Sequence, residues 1–257
     1  MNTALTIAGS DNSSGAGVQA DLKVFKDFNV YGFSAITALT SQNSTGVKNS
    51  YPVPQEVLDS QLKTIFEDFN VNAIKIGMIQ TLGNLNVIVE NLNKFNVKNI
   101  VLDPVLKSSS GKLLLEKKAI KILIDKLLPI VDVITPNKDE AEVLTEIKIN
   151  DLDDAKKACI YLKSAGAKNI LLKGGHFISE DFVTDIFFNG EDFFYLKYPK
   201  IRFSENVHGT GCVLSSAIAA NLSLRRDILK SVEISRAYMQ YKLQTAVELG
   251  RRYLYIV

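Results

Sequence analysis

The sequence predicts an α/β fold in which a mostly parallel central sheet is flanked by helices. Short apolar runs of strand length alternate with longer amphipathic runs of helix length along most of the chain. The first strand leads through a glycine-rich loop into a helix, as in the opening unit of parallel α/β folds. Several later apolar runs end abruptly in glycine, proline or polar residues, as expected where buried strands reach one edge of a sheet.

The first two thirds of the chain repeat this alternation. An apolar strand over residues 3–8, a polar loop over residues 9–17 and a helix over residues 18–28 come first. Further strands are predicted at residues 33–39, 73–76, 99–102, 131–134 and 169–172, and further helices at residues 54–69, 82–95, 115–128, 138–144 and 152–165. Elements of these lengths favour right-handed crossovers between parallel strands.

The last third departs from this pattern. Residues 182–188 and 192–196 are separated by Asn189-Gly190-Glu191, which predicts an antiparallel hairpin. A glycine turn then leads into an apolar helix over residues 213–222, and a last helix is predicted over residues 228–249. Since no repeat or linker interrupts the chain, a single domain over residues 1–257 is expected.

The composition favours a small-molecule partner. The 257 residues carry 30 basic and 28 acidic side chains, a net charge of +2, which argues against nucleic acid or a membrane surface as the partner. No signal peptide or membrane-spanning run is found, so a cytoplasmic protein is expected. Two cysteines are too few for a disulfide framework. Cys159 lies on the apolar face of a predicted helix, which predicts a core position.

The turn Gly209-Thr210-Gly211-Cys212 carries the strongest chemical signal. Glycines let consecutive N–H groups at a helix start converge on one point, and the helix dipole attracts an anion there. Cys212 lies in the first turn, where a lowered thiol pKa is expected. A tight strand-to-helix turn with a buried cysteine is the structural alternative.

Other polar residues come directly after the predicted strands. Ligands of open parallel sheets bind beyond the carboxyl ends of the strands. The residues found there are Gly9, Gln42, Met78, Asp103, Asn137, Glu140 and Lys173. Two glycine loops, acids and amides suited to Mg²⁺ and one lysine together predict phosphoryl transfer, which needs positioning and charge neutralisation. Simpler roles stay open: Asp103 as a turn residue, and Asn137 with Glu140 as a capping box.

These segments occur in the order found in a known family. They are residues 4–11, 15–23, 36–39 with Gln42 and Asn43, 75–78, 102–105, 135–137 with Glu140, 172–176 and 208–212. Together they resemble the hydroxymethylpyrimidine/phosphomethylpyrimidine kinases of thiamine biosynthesis, which are ribokinase-like. The resemblance implies a three-layer sandwich with the hairpin near the nucleotide. It also implies phosphorylation of 4-amino-5-hydroxymethyl-2-methylpyrimidine, and then of its monophosphate, by ATP with Mg²⁺.

The resemblance further implies a role for each matching residue. Gln42 would hydrogen-bond the aminopyrimidine, whose pocket would be lined by Gly9, Asp21, Met78 and Val105. The residues implied to bind the nucleotide are Lys173, Asn137 and Thr210, and those implied to act on Mg²⁺ are Asp103 and Glu140. Gly209, Thr210 and Gly211 would form the anion hole. Cys212 stands where most superfamily members have a catalytic aspartate, and we hypothesise that it supports the anion hole and assists proton removal.

Some features leave alternatives open. Ser14, residues 106–110 and the C-terminus 250–257 depart from the family pattern. That C-terminus could pack on a second subunit, although an ordinary packed terminus is favoured; a homodimer is expected. His176 and His208 are given no role in proton transfer. The alternative functions are a pyridoxal/pyridoxine kinase and a non-catalytic pyrimidine-binding sensor.

Overall fold

A computed structural model describes residues 1–107, 114–174, 181–203 and 206–256. The strands are β1 (Thr3–Asp11), β2 (Tyr31–Asn43), β3 (Gly46–Pro52), β4 (Ala73–Ile76), β5 (Ile100–Leu102), β6 (Val133–Ile134), β7 (Asn169–Leu172), β8 (Phe182–Phe188), β9 (Phe193–Pro199), β10 (Asn206–His208), β11 (Val247–Glu248) and β12 (Tyr253–Tyr255). The helices are α1 (Gly17–Asp27), α2 (Gln55–Asp68), α3 (Leu82–Lys94), α4 (Lys117–Ile122), α5 (Lys138–Thr145), α6 (Leu152–Ser164), α7 (Thr210–Ser223) and α8 (Ile228–Gln244). His176 and residues 108–110 lie outside the described residues.

The main sheet is mostly parallel, as predicted. Across the described residues its strand order is β3-β2-β1-β4-β5-β6-β7-β8-β9. Six neighbouring strands, β2, β1, β4, β5, β6 and β7, pair in parallel with one another. The strand β3 pairs antiparallel with β2 at one side of this set, and β8 and β9 extend the other side by antiparallel pairing. The predicted hairpin is confirmed as β8 and β9. The carboxyl ends of six parallel strands (β2, β1, β4, β5, β6 and β7) therefore meet at one edge.

Helices cover both faces of this sheet and complete three layers. In β7, Ile170 and Leu172 pack in a core with α2 to α6, whereas Leu171 packs in a second core with α1, α7 and α8. Successive side chains of a strand point to opposite faces of the sheet. Because helices cover both faces, the side chains on both faces of β7 are buried, which explains why the strand is apolar throughout. Cys159 lies in the first core, as predicted, where burial raises its pKa to about 12.

Two elements differ from the sequence prediction. The strand β3 was not predicted, because its residues are mostly exposed and polar and lack an apolar alternation. It forms an antiparallel hairpin with β2 and is an edge strand of the main sheet. The predicted helix over residues 115–128 is α4 followed by a π-helical turn, Leu123–Leu127, and a 3-10 turn, Leu128–Ile130.

The C-terminal segment folds back onto its own chain. Helix α8 ends at Gln244 rather than at residue 249, and β12 pairs in parallel with β10 and antiparallel with β11. Tyr253, Tyr255 and Ile256 are all buried. This packing supports the favoured interpretation of an ordinary packed terminus. In the described parts of the chain, no helix is both long and apolar enough to span a membrane.

Candidate active site

A cavity of about 580 Å³ opens at the carboxyl ends of the parallel strands, where a ligand was predicted to bind. The predicted site residues in its wall are Gly9, Gln42, Met78, Asp103, Val105, Asn137, Glu140, Lys173, Gly209, Thr210, Gly211 and Cys212. They lie near the carboxyl ends of β1 and β2, just after β4, β5, β6 and β7, in the first turn of α5 and at the start of α7. The fold therefore brings together residues that are up to about 200 positions apart in the sequence.

The second glycine turn begins α7 and contacts the first glycine loop. Gly209 caps the helix with a φ of 81°, and its carbonyl accepts a hydrogen bond of 3.0 Å from the Val213 N–H. A Cβ at Gly209 would lie only 1.8 Å from the Gly15 carbonyl oxygen, so the two loops touch through their backbones. The helix starts three residues earlier than predicted, and its first-turn N–H groups have no partners within the helix. This end of α7 favours an anion.

A lysine and two carboxylates face the start of α7. Lys173 Nζ donates to Asp103 Oδ1 at 2.8 Å and lies 3.6 Å from Glu140 Oε2. A Cβ at Gly211 would lie 3.1 Å from Asp103 Oδ2 and 3.3 Å from Lys173 Nζ. Desolvation lowers the pKa of Lys173, but Asp103 and Glu140 outweigh it and raise this pKa above its ordinary value. Lys173 is therefore a cation at neutral pH.

Asn137 and Glu140 do form the capping box that was left open as an alternative. Asn137 Oδ1 accepts from the Glu140 N–H at 2.9 Å, and Glu140 Oε2 accepts from the Asn137 N–H at 2.8 Å. Burial raises the pKa of Glu140 to about 7, with Asp103 acting in the same direction and Lys173 opposing. The Glu140 carboxylate thus caps the first turn of α5 and also lines the cavity, so a role in the capping box is compatible with a role at the site.

The same carboxylates were predicted to act on Mg²⁺. Among the described residues, no group of three or more His, Cys, Asp or Glu could hold an ion by itself. Mg²⁺ commonly takes one or two protein carboxylates and completes its shell with water and phosphate oxygens. Asp103 and Glu140 fit an ion of that kind, because both carboxylates reach the cavity wall.

Asp21 does not line the cavity, contrary to the prediction. It is fully buried, and Lys75 Nζ lies 3.0 Å and 2.8 Å from its two carboxylate oxygens. Thr6 donates to Oδ2 at 2.5 Å and Ser216 to Oδ1 at 2.6 Å. Because three side chains occupy both oxygens, Asp21 holds Lys75, and it is Lys75 that contributes to the cavity wall.

Lys75 is a site residue that the sequence reasoning missed. Desolvation lowers its pKa, but the carboxylates of Asp21 and Asp103 outweigh this and raise it above the ordinary value. A signal was present, because Lys75 is the one charged residue of the apolar strand β4. A fully buried lysine needs a buried partner. Only the fold identifies that partner as Asp21.

The expected low pKa of Cys212 is wrong. Burial raises the pKa of this thiol to about 11, and Asp21 and Asp103 add to the rise, while Lys75 opposes it. The Gly17 N–H donates a hydrogen bond to the sulfur but does not offset the loss of solvent. Desolvation at this helix start outweighs the dipole. Cys212 is therefore a neutral thiol at neutral pH.

The remaining predicted residues form an apolar wall with a polar rim. Ala38, Met78 and Leu114 form a small cluster with Val105 packed against it. Gly9 lies beneath Met78, since a Cβ at Gly9 would be 2.4 Å from Met78 Cε. Gln42 contributes to the same cavity. An apolar surface with one amide suits a flat heteroaromatic ring.

Asp11, which was not predicted individually, shapes the first glycine loop. Its Oδ1 accepts from the Ser13 N–H and hydroxyl, both at 2.7 Å, and its Oδ2 accepts from the Ala16 N–H at 2.9 Å. Tyr255 of β12 packs on this loop, because a Cβ at Gly15 would lie 2.7 Å from its ring. The loop is thus held by hydrogen bonds to the Asp11 carboxylate and by packing against Tyr255 of the C-terminal strand β12.

Comparison with known proteins gives consistent matches. The phosphomethylpyrimidine kinase family model matches residues 11–256. The hydroxymethylpyrimidine/phosphomethylpyrimidine kinase of Aquifex aeolicus is 41% identical over 250 residues, 97% of each chain. The crystal structure of phosphomethylpyrimidine kinase from Clostridium difficile has a TM-score of 0.83 and 40% identity, covering 95% of this chain and 100% of that one. Pyridoxal kinase from Staphylococcus aureus, in complex with AMP-PCP and pyridoxal, has a TM-score of 0.91 but 30% identity, covering 100% and 93%.

Proposed function

The chain belongs to the phosphomethylpyrimidine kinase family, and on this premise we propose that it phosphorylates 4-amino-5-hydroxymethyl-2-methylpyrimidine and then its monophosphate with ATP. Both steps belong to thiamine biosynthesis. The observation that carries the proposal is the convergence of Lys173, Asp103 and Glu140 with the start of α7 at a cavity that also has an apolar wall. Phosphoryl transfer needs such a set of charges, and a pyrimidine needs such a wall.

The nucleotide phosphates bind at the charged end of the cavity in this proposal. Lys173 supplies a cation, and Gly209, Thr210 and Gly211 supply the anion hole through the first-turn N–H groups of α7. Asn137 lies beside them at the start of α5. These groups are held by backbone contacts before any ligand binds, so little reorganisation accompanies the transfer.

Mg²⁺ is proposed to be held by Asp103 and Glu140, directly or through water. When bound, the ion neutralises charge on the phosphate oxygens during transfer. Lys173 contacts both carboxylates, at 2.8 Å from Asp103 and 3.6 Å from Glu140. Asp103 Oδ1 accepts from Lys173 at 2.8 Å and from Thr135 at 3.3 Å, contacts that orient the carboxylate across from Gly211.

The pyrimidine is proposed to lie against Met78 and Val105, with the Gln42 amide hydrogen-bonding its amino group and ring nitrogen. Lys75 adds a buried positive charge to the same cavity. That charge favours the acceptor of the second step, because this acceptor is itself a phosphate. Asp21 keeps Lys75 in place and has no contact with substrate in this proposal.

Cys212 is proposed to shape the anion hole and not to act as a base. A thiol with a pKa of about 11 holds its proton at neutral pH. A loose transition state loses the alcohol proton late, so a strong base has little to contribute. Of the two roles that the sequence hypothesis gave Cys212, this proposal keeps support of the anion hole and drops assistance in proton removal.

Mass spectrometry of products tests the proposed reaction. Incubation with ATP, Mg²⁺ and the hydroxymethylpyrimidine should yield first a monophosphate and then a diphosphate. The pyridoxal kinase alternative fits less well, because identity to the pyridoxal kinase is 30% against 41% to the Aquifex aeolicus enzyme. Steady-state kinetics on both substrates decide between them, and a higher kcat/KM for pyridoxal would overturn the assignment.

Four further expectations remain proposals or predictions. Residues 1–257 are proposed to act as one kinase domain, and the protein is proposed to be a homodimer, which sedimentation velocity would test. A cytoplasmic location and the absence of a nucleic-acid partner stay predictions from composition.

A further inference from the structure

A second buried ion pair lies outside the cavity. Asp185 of β8 is 3% exposed and Arg236 of α8 is 6% exposed, and Arg236 Nε donates to Asp185 Oδ2. Neither residue is among those that line the cavity. Burying such a pair costs desolvation free energy that well-packed apolar residues would not cost. Stability alone therefore gives little reason for charges at this place.

The other oxygen of Asp185 contacts the residue that comes after Lys173. Asp185 Oδ1 accepts a hydrogen bond from the Gly174 N–H at 2.5 Å. The backbone here is pressed against β8, since a Cβ at Gly174 would lie 1.7 Å from the Thr184 carbonyl oxygen. The peptide group between Lys173 and Gly174 is therefore held by Asp185.

The peptide group before Lys173 is also held. The Lys173 N–H donates to the Pro136 carbonyl at 2.8 Å, beyond the end of β6. The two peptide planes that flank the Lys173 Cα are thus fixed by different elements. Together they set the backbone dihedrals of Lys173, and hence the direction in which its side chain leaves the strand.

Arg236 fixes the orientation of the Asp185 carboxylate. Its guanidinium lies 4.5 Å from the centre of the Tyr198 ring, on β9. Stacking on an aromatic face and an ion pair restrain the planar group in two directions. With Oδ2 bound to Arg236, the remaining oxygen of Asp185 is directed at Gly174.

We propose that Asp185 and Arg236 are positioning residues for Lys173 and so set the affinity for the nucleotide phosphates. The chain of contacts runs from Arg236 through Asp185 to the Gly174 N–H, and from there to Lys173 in front of Gly211. This inference rests on the proposed function, since it takes Lys173 as the ligand of the ATP phosphates. It assigns no contact between Asp185 or Arg236 and any substrate.

The test removes both charges at once. The double variant Asp185→Leu with Arg236→Met leaves no unpaired buried charge, so it should fold. The control is Lys242→Met. Lys242 lies on α8, as Arg236 does, and the substitution removes its 2.8 Å ion pair with Asp27 of α1; neither residue lines the cavity. Mg-ATP binding is measured by calorimetry without pyrimidine, and KM is measured for each substrate.

We expect the double variant to raise the Kd and the KM for ATP about tenfold, the factor expected when an ionic hydrogen bond no longer orients its target. The KM for the pyrimidine should stay within about twofold, because the apolar wall is untouched. The control should leave all three values unchanged. A merely structural role would reduce the amount of active protein and leave both KM values as they were.

An unchanged Kd for ATP in the folded double variant overturns the inference, and so does an equal rise in both KM values. If the double variant does not fold, Arg236→Lys and Asp185→Asn are measured in the same way, and unchanged ATP binding in both overturns it. Because ATP binding is measured alone, the two proposals can fail separately. A wild-type protein that binds ATP but phosphorylates no pyrimidine contradicts the proposed substrate only.

Discussion

Asp11 Oδ2 lies 3.0 Å from His208 Nε2, and this contact joins the first glycine loop to the turn that begins α7. The two residues are 197 positions apart in the sequence. The His208 ring is stacked on Tyr253 and lies edge-on to Tyr255, each at 5.7 Å between ring centres. The two glycine loops and the C-terminal strand β12 therefore form one structural unit beside the proposed anion hole.

The Asp11 carboxylate should make stability depend on pH in acid. Burial raises its pKa, but hydrogen bonds from His208 and Ser13 outweigh this and lower it from 3.8 to about 2. Because folding lowers this pKa, the ionised carboxylate stabilises the folded protein at any pH above the pKa of Asp11 in the unfolded chain. This stabilisation is lost as the pH falls from about 4 to about 2. Its size is about 2 kcal/mol.

Urea unfolding of the wild type and of Asp11→Asn measures this effect. The difference in unfolding free energy between them should be constant from pH 7 to about pH 4 and should narrow toward pH 2. A difference that stays the same at pH 3 and pH 7 would contradict the assignment.

The Lys75 side chain should be essential for stability. Lys75→Met leaves the Asp21 carboxylate buried without its cation, which should cost about 3–5 kcal/mol of unfolding free energy. The matched control is Lys63→Met, which breaks a surface pair with Asp59 of 2.6 Å and should leave the unfolding free energy unchanged within error. Chemical denaturation measures the unfolding free energy of both variants. An equally small loss in both would show that Lys75 does not stabilise the buried Asp21 carboxylate as inferred.

Cys212 and Gly211 should respond differently to substitution. Cys212→Ala should keep kcat within about tenfold of the wild type, because a neutral thiol removes no proton. Gly211→Ala should lower kcat by about a hundredfold or more, since its methyl group would enter the space in front of Asp103 and Lys173. Steady-state kinetics measure both. A large loss in Cys212→Ala with a shifted pH profile would restore the base role.

Asp103 should control the requirement for Mg²⁺. Asp103→Asn removes one carboxylate charge but keeps the shape, so the Mg²⁺ concentration for half-maximal activity should rise about tenfold. EDTA should abolish activity in both proteins. A variant with the wild-type Mg²⁺ dependence would exclude Asp103 from the ion's environment.

The ring of Tyr255 should matter for catalysis although it is outside the cavity. Tyr255→Ala removes packing from Gly15 and His208, so we expect a loss of about 3 kcal/mol in unfolding free energy and a lower kcat. The matched control, Tyr241→Ala, truncates a tyrosine that is 62% exposed on α8 and should change neither quantity. If kcat per folded molecule is unaltered in Tyr255→Ala, β12 supports the fold alone.

Much of the sheet could be predicted because buried parallel strands leave a local signal. The strands β4 and β7 have the predicted bounds, and the apolar runs before Asp103 and Lys173 showed that these residues lie at strand ends. The strand β3 could not be predicted, because an exposed edge strand needs no apolar alternation. The end of α8 was misplaced because apolar residues continue past Gln244, but α8 ends there: Val247 belongs to the strand β11, and both Val247 and Leu249 are exposed.

The sequence by itself determined the layered α/β architecture, the edge of the sheet that carries the site, and most of the residues there. Each of these depends on local periodicity and on the residue types directly after each strand. The tertiary structure alone decided that Asp21 faces Lys75 instead of the cavity, that Cys212 is a neutral thiol, and that β12 fastens the two glycine loops. Those properties depend on burial and on partners from distant parts of the chain, which only folding brings into contact.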